Sequence, residues 1–412
     1  MVAGIDLSDR EIQISYSGNL EKGVNTYSVS PGEENFGIPA VAIRNPDSGD
    51  WFFGEEALAL AEAYSLPAVG RILMRALKRE KVEDMLGEMD CVKLLGLFLD
   101  WALHLPDELR GARFSALAIT VRTVHRELPQ ILNEALSAVE MHIPIVRFLS
   151  YAESFFSYSM SQPIELWRNG VVLFDYGLDH FEVRQVVLDN RTRPIIATTE
   201  EDQFPEMLPF NGRDREQLDE MLLAVAKRKL NDSHISSVYL MGKAFSERWE
   251  TETLRYICKL ARVFQGQNLY SKGACYAAAD AASWSHMGSR YLFLDDDSIR
   301  TNICIRAIVE GKEVLLPVID AGVNWYNAEG AKEVLLGREK EVLVVLKDMS
   351  DGNERNVVLR LDWMPDRPER ASRVRLSFRF TDRNVLEVKI KDLGFGDFFP
   401  ATGLKNTEVI RL

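Results

Sequence analysis

The sequence predicts an α/β protein built as two related lobes and followed by a separate all-β sandwich. Three observations predict it. "VAGIDLSDREIQISY" carries an apolar run to a single acid, Asp6. The turn Ser8-Asp9-Arg10 follows, then a strand in which Ile12, Ile14 and Tyr16 alternate with polar residues. "GVVLFDYGLDHFEVRQVV" repeats that plan at Asp175, with Tyr176-Gly177-Leu178-Asp179-His180 as its turn. After residue 298 the chain alternates almost throughout, as in "RVRLSFRF" and "VLEVKIKD".

The elements between these marks follow in order. "GIPAVAIRN" reads as further β structure, closed by the turn "PDSGD". From Glu55 to about Leu105 apolar residues recur at helical spacing, and several helices are expected there. "FSALAITV" is a strand, "HRELPQILNEALSAVEM" a helix, "PIVRFLS" a strand and "AESFFSYSMS" a helix, the alternation of an α/β domain. The second lobe continues with the helix "REQLDEMLLAVAKRKL", the strand "SVYLMGKAF" and the helix "ETLRYICKLARVF". In "SKGACYAAADAASW" the small residues Gly273, Ala274, Ala277 and Ala278 let another backbone or a flat ligand approach closely. "YLFLDDDS", apolar then acidic, reads as a connector. The expected domains are 1–170, with a helical insertion at about 55–110; 171–290, with a shortened insertion; a linker at 291–298; and the sandwich at 299–412.

Composition narrows the function classes. The 412 residues, 46% hydrophobic and 27% charged, are ordinary for globular domains. No long uncharged apolar run is present, so no membrane partner is expected. The net charge of −13 argues against nucleic acid as a partner. Cys91, Cys258, Cys275 and Cys304 stand far apart in apolar contexts and read as small core residues in a reducing compartment. The first residues read as a strand rather than a signal peptide, and a cytoplasmic setting is expected. His104, His125 and His142 stand singly and read as surface or satisfied positions. Trp101 and Trp284 read as core. The run Lys227 to Leu230 suits a helix C-terminus.

Two facing hairpins of this kind have a chemistry. Backbone N–H groups in a tight turn converge on an anion, and an Asp at a strand end holds Mg²⁺ through its waters. On spacing alone a plain hairpin with a solvated Asp is the simpler reading.

The order of segments adds to this. The chain resembles the actin-like ATPase superfamily, and within it the DnaK-type seventy-kilodalton heat-shock chaperones. "GIDLSDREIQISY" is similar to that family's first phosphate hairpin, and "FGIPAVAI" and "FGEEALALA" to the segments after it. "LAITVRTVHRELPQILNEALSAVEMHIPIVRFLSYAESFFSYS" is similar to its connecting segment. "VVLFDYGLDHFEV" resembles the second phosphate hairpin, "SVYLMGK" the adenosine-side strand and "KGACYAAAD" the helix after it. "NVVLRLDWMPDRPERASRVRLSFRFTDRNVLEVKIKD" resembles the closing strands of the substrate-binding β-sandwich. The resemblance implies a duplicated, two-lobe actin-like ATPase fold with ribonuclease H-like lobes, then the sandwich. It implies ATP or ADP with Mg²⁺ as cofactor. Asp6, Ser8, Arg10, Asp175, Gly177, Gly242, Lys243, Gly273 and Ala274 fall at the cofactor positions. Asp6 and Asp175 would hold the metal through water if nucleotide binds.

The departures from the family pattern are specific. Ser8-Asp9-Arg10 stands where the family has Gly-Thr-Thr, and Gly177-Leu178-Asp179-His180 where it has Gly-Gly-Gly-Thr. Asp9 and Asp179 add like charge beside any phosphate. Two unit charges at ~4 Å repel by ~4 kcal/mol at an effective dielectric of ~20. An inward Arg10 would offset this. Ser150 falls where the family has the glutamate near the attacking water, and Lys243 replaces the second Gly of the adenosine strand. The helical lid has no counterpart before Leu412.

Two readings stand side by side. One is a chaperone-like pseudo-ATPase or weak nucleotide binder, used as a module for a peptide or protein client at the sandwich. The other is an active Mg-dependent ATPase in which Asp175 and Glu153 are the catalytic candidates and His180 helps to orient water. A sugar-kinase-like member would need a catalytic Asp beside a sugar cleft, and none is placed there.

Overall fold

Val2, Ala3, Ile5 and Leu7 are all buried, so the first strand, β1 (Val2–Leu7), is apolar on both faces and belongs inside a sheet. It pairs antiparallel with β2 (Glu11–Ser17), whose edge carries β3 (Asn25–Thr26) and β4 (Ile38–Pro39). The computed structural model describes every residue except Pro31, His125, Asp232, Ser233, Asp296, Ser350 and Asp351. His125 of the sequence reading, and Asp296 of the expected linker, therefore lie outside the described residues. The chain forms two compact units, Met1–Leu292 and Phe293–Leu412.

In the first unit, β5 (Val41–Arg44) pairs with β6 (Trp51–Phe53) and with β7 (Val69–Gly70), which flank α1 (Gly54–Tyr64). After α2 (Ile72–Leu77) comes a hairpin, β8 (Lys81–Asp84) and β9 (Gly87–Asp90), before α3 (Cys91–Leu103). The helical insertion expected at 55–110 therefore also contains a β-hairpin. Asp90 starts α3 by accepting from the backbone N–H groups of Val92 and Lys93. Then β10 (Ala116–Val121) and β11 (Val146–Ser150) join β1 in parallel, separated by α4 (Leu128–Ala138) and followed by α5 (Tyr151–Met160). The first large sheet runs β11-β10-β1-β2-β3.

The second sheet repeats that order. β12 (Val171–Tyr176) pairs antiparallel with β13 (Phe181–Asp189), which pairs with β14 (Ile195–Gln203). α6 (Arg215–Leu230) leads to β15 (Ser237–Met241), parallel to β12, and α7 (Thr251–Ile257) leads to β16 (Arg262–Gln265), parallel to β15. The sheet runs β16-β15-β12-β13-β14, with β17 (Tyr291–Phe293) beyond β14. With the short β4 set aside, the fifth, fourth, first, second and third strands lie side by side with the same directions in both sheets.

Several expectations need correction. The helix expected through Phe264 stops at Ile257, and 262–265 is a strand whose Phe264 stacks on Tyr239 of β15. An exposed edge of β15 recruits it, and this pairing outweighs the helical spacing. α8 (Leu269–Ala281) follows β16 of the second sheet in sequence but packs on β1 and β10 of the first, so the 171–290 boundary cuts across the packing. Close approach explains this. A Cβ on Gly273 would sit 2.0 Å from the Ser154 carbonyl oxygen of α5, and one on Gly4 would sit 2.1 Å from the Cys275 backbone nitrogen. The expected linker begins as β17. Cys258 and Trp284 are exposed rather than core, while Cys91 and Cys275 are buried. α9 (Met287–Arg290) precedes β17.

The second unit is a sandwich. One sheet is β19-β18-β21-β22, from β18 (Thr301–Val309), β19 (Lys312–Ile319), β21 (Glu341–Asp348) and β22 (Glu354–Arg360). The other is β20-β23-β24-β25, from β20 (Glu329–Leu335), β23 (Arg373–Asp382), β24 (Val385–Gly394) and β25 (Lys405–Arg411). Alternate residues of both sheets, among them Ile303, Ile305, Val344, Leu376, Phe378, Val388 and Ile390, share one core.

Candidate functional site

Asp6 and Asp175 occupy equivalent places, each near the end of its sheet's first strand and just before the turn. The two turns face one cavity of about 500 Å³, lined by Asp6, Ser8, Arg10, Asp175, Gly177, Gly242 and Lys243 among others. The structure thus brings together seven of the nine cofactor positions that the resemblance implied. Gly273 and Ala274 are not among them. Both are buried in the packing of α8, where Gly273 makes room for backbone rather than for a ligand. Glu153 is also absent from the cavity wall and pairs with Arg147 at 2.6 Å. Ser150 caps α5 by accepting from the Glu153 N–H at 3.2 Å.

The substituted turns are occupied by the protein's own bonds. Ser8 Oγ donates to the Glu11 carbonyl at 2.8 Å and accepts from the Glu11 N–H at 3.0 Å, closing the first turn. Asp9 lines the same cavity, and its carboxylate accepts from the Met74 N–H at 2.9 Å in the first turn of α2. Arg10 reaches Asp179 of the opposite turn at 3.0 Å, so a charge gained by one turn pairs with a charge gained by the other. Lys243 is bound by Glu11 at 2.6 Å. Gly242 has φ +104°, and a Cβ there would lie 2.3 Å from the Tyr176 carbonyl oxygen. This glycine lets the second hairpin approach its neighbouring loop.

Both acids are gripped by tyrosines. The Tyr151 hydroxyl, at the start of α5, donates to Asp6 at 2.8 Å. The Tyr270 hydroxyl, on α8, donates to Asp175 at 2.8 Å. The two rings stack with centroids 3.9 Å apart, so a continuous bridge runs from one carboxylate to the other. Burial, with the adjoining carboxylates, pushes both phenols well above their ordinary range and keeps them donors. Around Asp175 stands a charged cluster. His180 Nε2 lies 3.2 Å from Asp175 and 2.8 Å from Arg122, and His180 Nδ1 lies 3.0 Å from Asp179. As imidazolium the ring donates to Asp175; as neutral imidazole its Nε2 accepts from Arg122. Buried Glu182 joins Arg122 at 3.1 Å and Arg184 at 2.6 Å, and Arg184 also holds Glu201 at 2.9 Å and donates to the Tyr270 hydroxyl.

These surroundings split the two acids. Burial pushes Asp6 up to about 7, helped by Glu11 and Asp175 and opposed by the Tyr151 hydrogen bond. Burial also pushes Asp175 upward, but His180, Arg184 and Arg122 outweigh it and hold the carboxyl below its usual range. Burial opposes the charge on His180, and Asp175 and Asp179 outweigh it, so its value is raised.

A model described as a family of unknown function, DUF5716, C-terminal, matches residues 23–296, well over half of the chain. The chain belongs to the DUF5716 family. The match begins beyond the Asp6 hairpin and takes in Asp175, Tyr151 and Tyr270. In this DUF5716 chain a domain of unknown function, DUF8552, matches residues 298–412, which is the sandwich. No curated protein matches the chain.

The sequence reading did not single out Tyr151, Tyr270, Arg122, Glu182 or Arg184. For two of them a signal was present. Glu182 and Arg184 alternate with Phe181 and Val183 in a strand buried on both faces, and charges there need partners. The tyrosines carried none, because their acids lie 145 and 95 residues away.

Proposed function

We propose that this chain is a DnaK-like, heat-shock chaperone-like member of the actin-like ATPase superfamily that works as a pseudo-ATPase and binds a peptide or protein client. The carrying observation is the bridge from Asp6 through Tyr151 and Tyr270 to Asp175. It ties the two acids together along one wall of the cavity. Mg-nucleotide fits these residues poorly. Both acids already accept from tyrosines, Asp6 keeps much of its proton at neutral pH, and Arg10, Arg122 and Lys243 are all paired with acids. A phosphate would have to break those pairs. Among the described residues no group of three or more His, Cys, Asp or Glu is arranged to hold a metal. The matching strand order of the two large sheets supports the duplicated actin-like plan.

For the client, the sandwich offers Ile308 and Leu315, 72% and 43% exposed on paired strands β18 and β19. Exposed apolar side chains there suit an extended peptide. The free cysteines suit a reducing, cytoplasmic setting, and no described helix is long and apolar enough to cross a membrane. The alternative, an active Mg-dependent ATPase, rests on Asp6 and Asp175 lining one cavity.

Isothermal titration of the full chain with Mg-ATP and Mg-ADP separates the two. The expected result is no heat and no thermal shift at millimolar nucleotide. Turnover that Asp175→Asn abolishes would overturn the pseudo-ATPase reading.

A further inference from the structure

The segment joining β24 to β25 is a stiff loop with an aromatic tip. Its root is the fully buried carboxylate of Asp392, which accepts from both Arg367 Nη atoms at 2.8 Å. Asp392 also accepts from the Gly394 and Thr402 N–H groups at 2.9 Å and from the Thr402 hydroxyl at 2.7 Å. Arg367 donates further to the Pro400 carbonyl at 2.9 Å, and the Phe395 N–H donates to the Phe399 carbonyl at 2.6 Å. Held in this way, the tip presents Phe398, 92% exposed, and Phe395, 48% exposed. A loop this constrained could tuck its aromatic rings inward, yet it holds one almost wholly in water. The backbone at the root of such a loop has little freedom left to lose on docking.

The same patch contains a receptor for that ring. Arg373, Phe395, Gly396, Phe398 and Phe399 line a shallow depression of about 590 Å³. Asp397 is exposed beside Phe398, and the Arg373 side chain is 48% exposed with only a 3.8 Å approach to Glu333. One patch therefore carries a knob with its socket and an acid with its base. A twofold axis sets each against its complement.

We propose that this tip is an isologous contact between two copies of the chain. Phe398 of each copy enters the depression between Phe395 and Phe399 of the other, and Asp397 of each meets Arg373 of the other. A bilayer is the less favoured occupant, because an acid flanks the most exposed ring and the chain carries a net charge of −13. Three phenylalanines a side bury less than the ~1,000 Å² of a stable interface, so the dimer is weak and forms in roughly the micromolar-to-millimolar range.

Sedimentation of the full chain over a concentration series, up to near-millimolar, tests this. The wild type is expected to shift from monomer to dimer. Phe398→Ser, Asp397→Arg and Arg373→Asp are each expected to weaken association at least tenfold, with unchanged melting curves. An equimolar mixture of the Asp397→Arg and Arg373→Asp chains is expected to dimerise again, because each then faces its complement twice. A wild type that stays monomeric, variants that dimerise as it does, or a mixture that does not recover would each overturn the contact. So would a monomeric chain that binds anionic phospholipid vesicles through Phe398, which would assign the tip to a bilayer.

Discussion

The two hairpins share a plan and differ in their charges. Each carries a strand to an Asp, a turn and a second strand, and each Asp accepts from a tyrosine at 2.8 Å. Around Asp175 stand His180, Arg184 and Arg122, and that carboxyl stays ionised. Around Asp6 the cations are spent elsewhere, Arg10 on Asp179 and Lys243 on Glu11, and Asp6 rises to about 7. Equal backbone positions have become one acid that burial pushes up to about 7 and one that its cations hold below the usual range. A site for a divalent cation would require both to be ionised together. The asymmetry therefore belongs to a cleft that balances its charges internally.

The sharpest way to break the comparison is Arg184→Met. Arg184 is 3% exposed at its side chain and neutralises Glu182 and Glu201 while holding the Tyr270 hydroxyl. Removing a buried cation and leaving its acids in place costs about 3–5 kcal/mol. The expected outcome is a large fall in the urea midpoint of the full chain. An unfolding free energy within about 1 kcal/mol of wild type would show that the second hairpin does not depend on its cations.

Much of this arrangement was legible in the sequence. Both hairpins and both acids stood out, because an apolar strand that ends at a lone Asp and a turn is a local pattern. The small-residue spacing in α8 was legible as a close approach, but its partners were not. Ser154 and Gly4 belong to elements far away in the chain, and only packing brings them to Gly273 and Cys275. The strand at 262–265 was misread because Leu254, Ile257, Leu260 and Ala261 keep helical spacing into it. Only the sheet decides that Val263 pairs with Val238. The tyrosine bridge is tertiary in the same sense, and no window around Tyr151 or Tyr270 contains the acid that it binds.

A smaller effect sharpens the comparison through pH. The folded-state value of Asp6, about 7, lies above the roughly 3.9 of an unfolded Asp, so the folded state binds the extra proton. That contribution is fully present below the unfolded value and is lost as pH rises through about 7. Asp175, held low, acts in the opposite sense, and its contribution is lost as pH falls. Thermal melts from pH 5 to pH 8 are expected to show the wild type weakening toward pH 8. Asp6→Asn should flatten the profile, because the amide has no proton to lose. An Asp6→Asn profile parallel to wild type would assign the pH dependence to His180 and Glu182 instead, whose raised values give the same sign.

The smallest expected effect concerns the pair that joins the two turns. Arg10 and Asp179 are 70% and 59% exposed at their side chains, so solvent and salt screen their attraction. A double-mutant cycle of Arg10→Ala and Asp179→Ala is expected to give a coupling of about 0.2–1 kcal/mol, falling as salt is raised. Arg122 and Glu182 make the informative contrast. They meet at a similar distance, 3.1 Å, with Glu182 only 4% exposed, and their coupling should be larger and less sensitive to salt. If the two cycles give equal couplings, the exposed pair is a true latch between the turns and the charge asymmetry of the hairpins is less than their surroundings imply. If the exposed pair gives almost nothing, the cleft is held by its buried half. The bridge of Tyr151 and Tyr270, with Arg184 behind it, then supplies the closure, and Arg10 and Asp179 act chiefly to cancel each other's charge at the mouth.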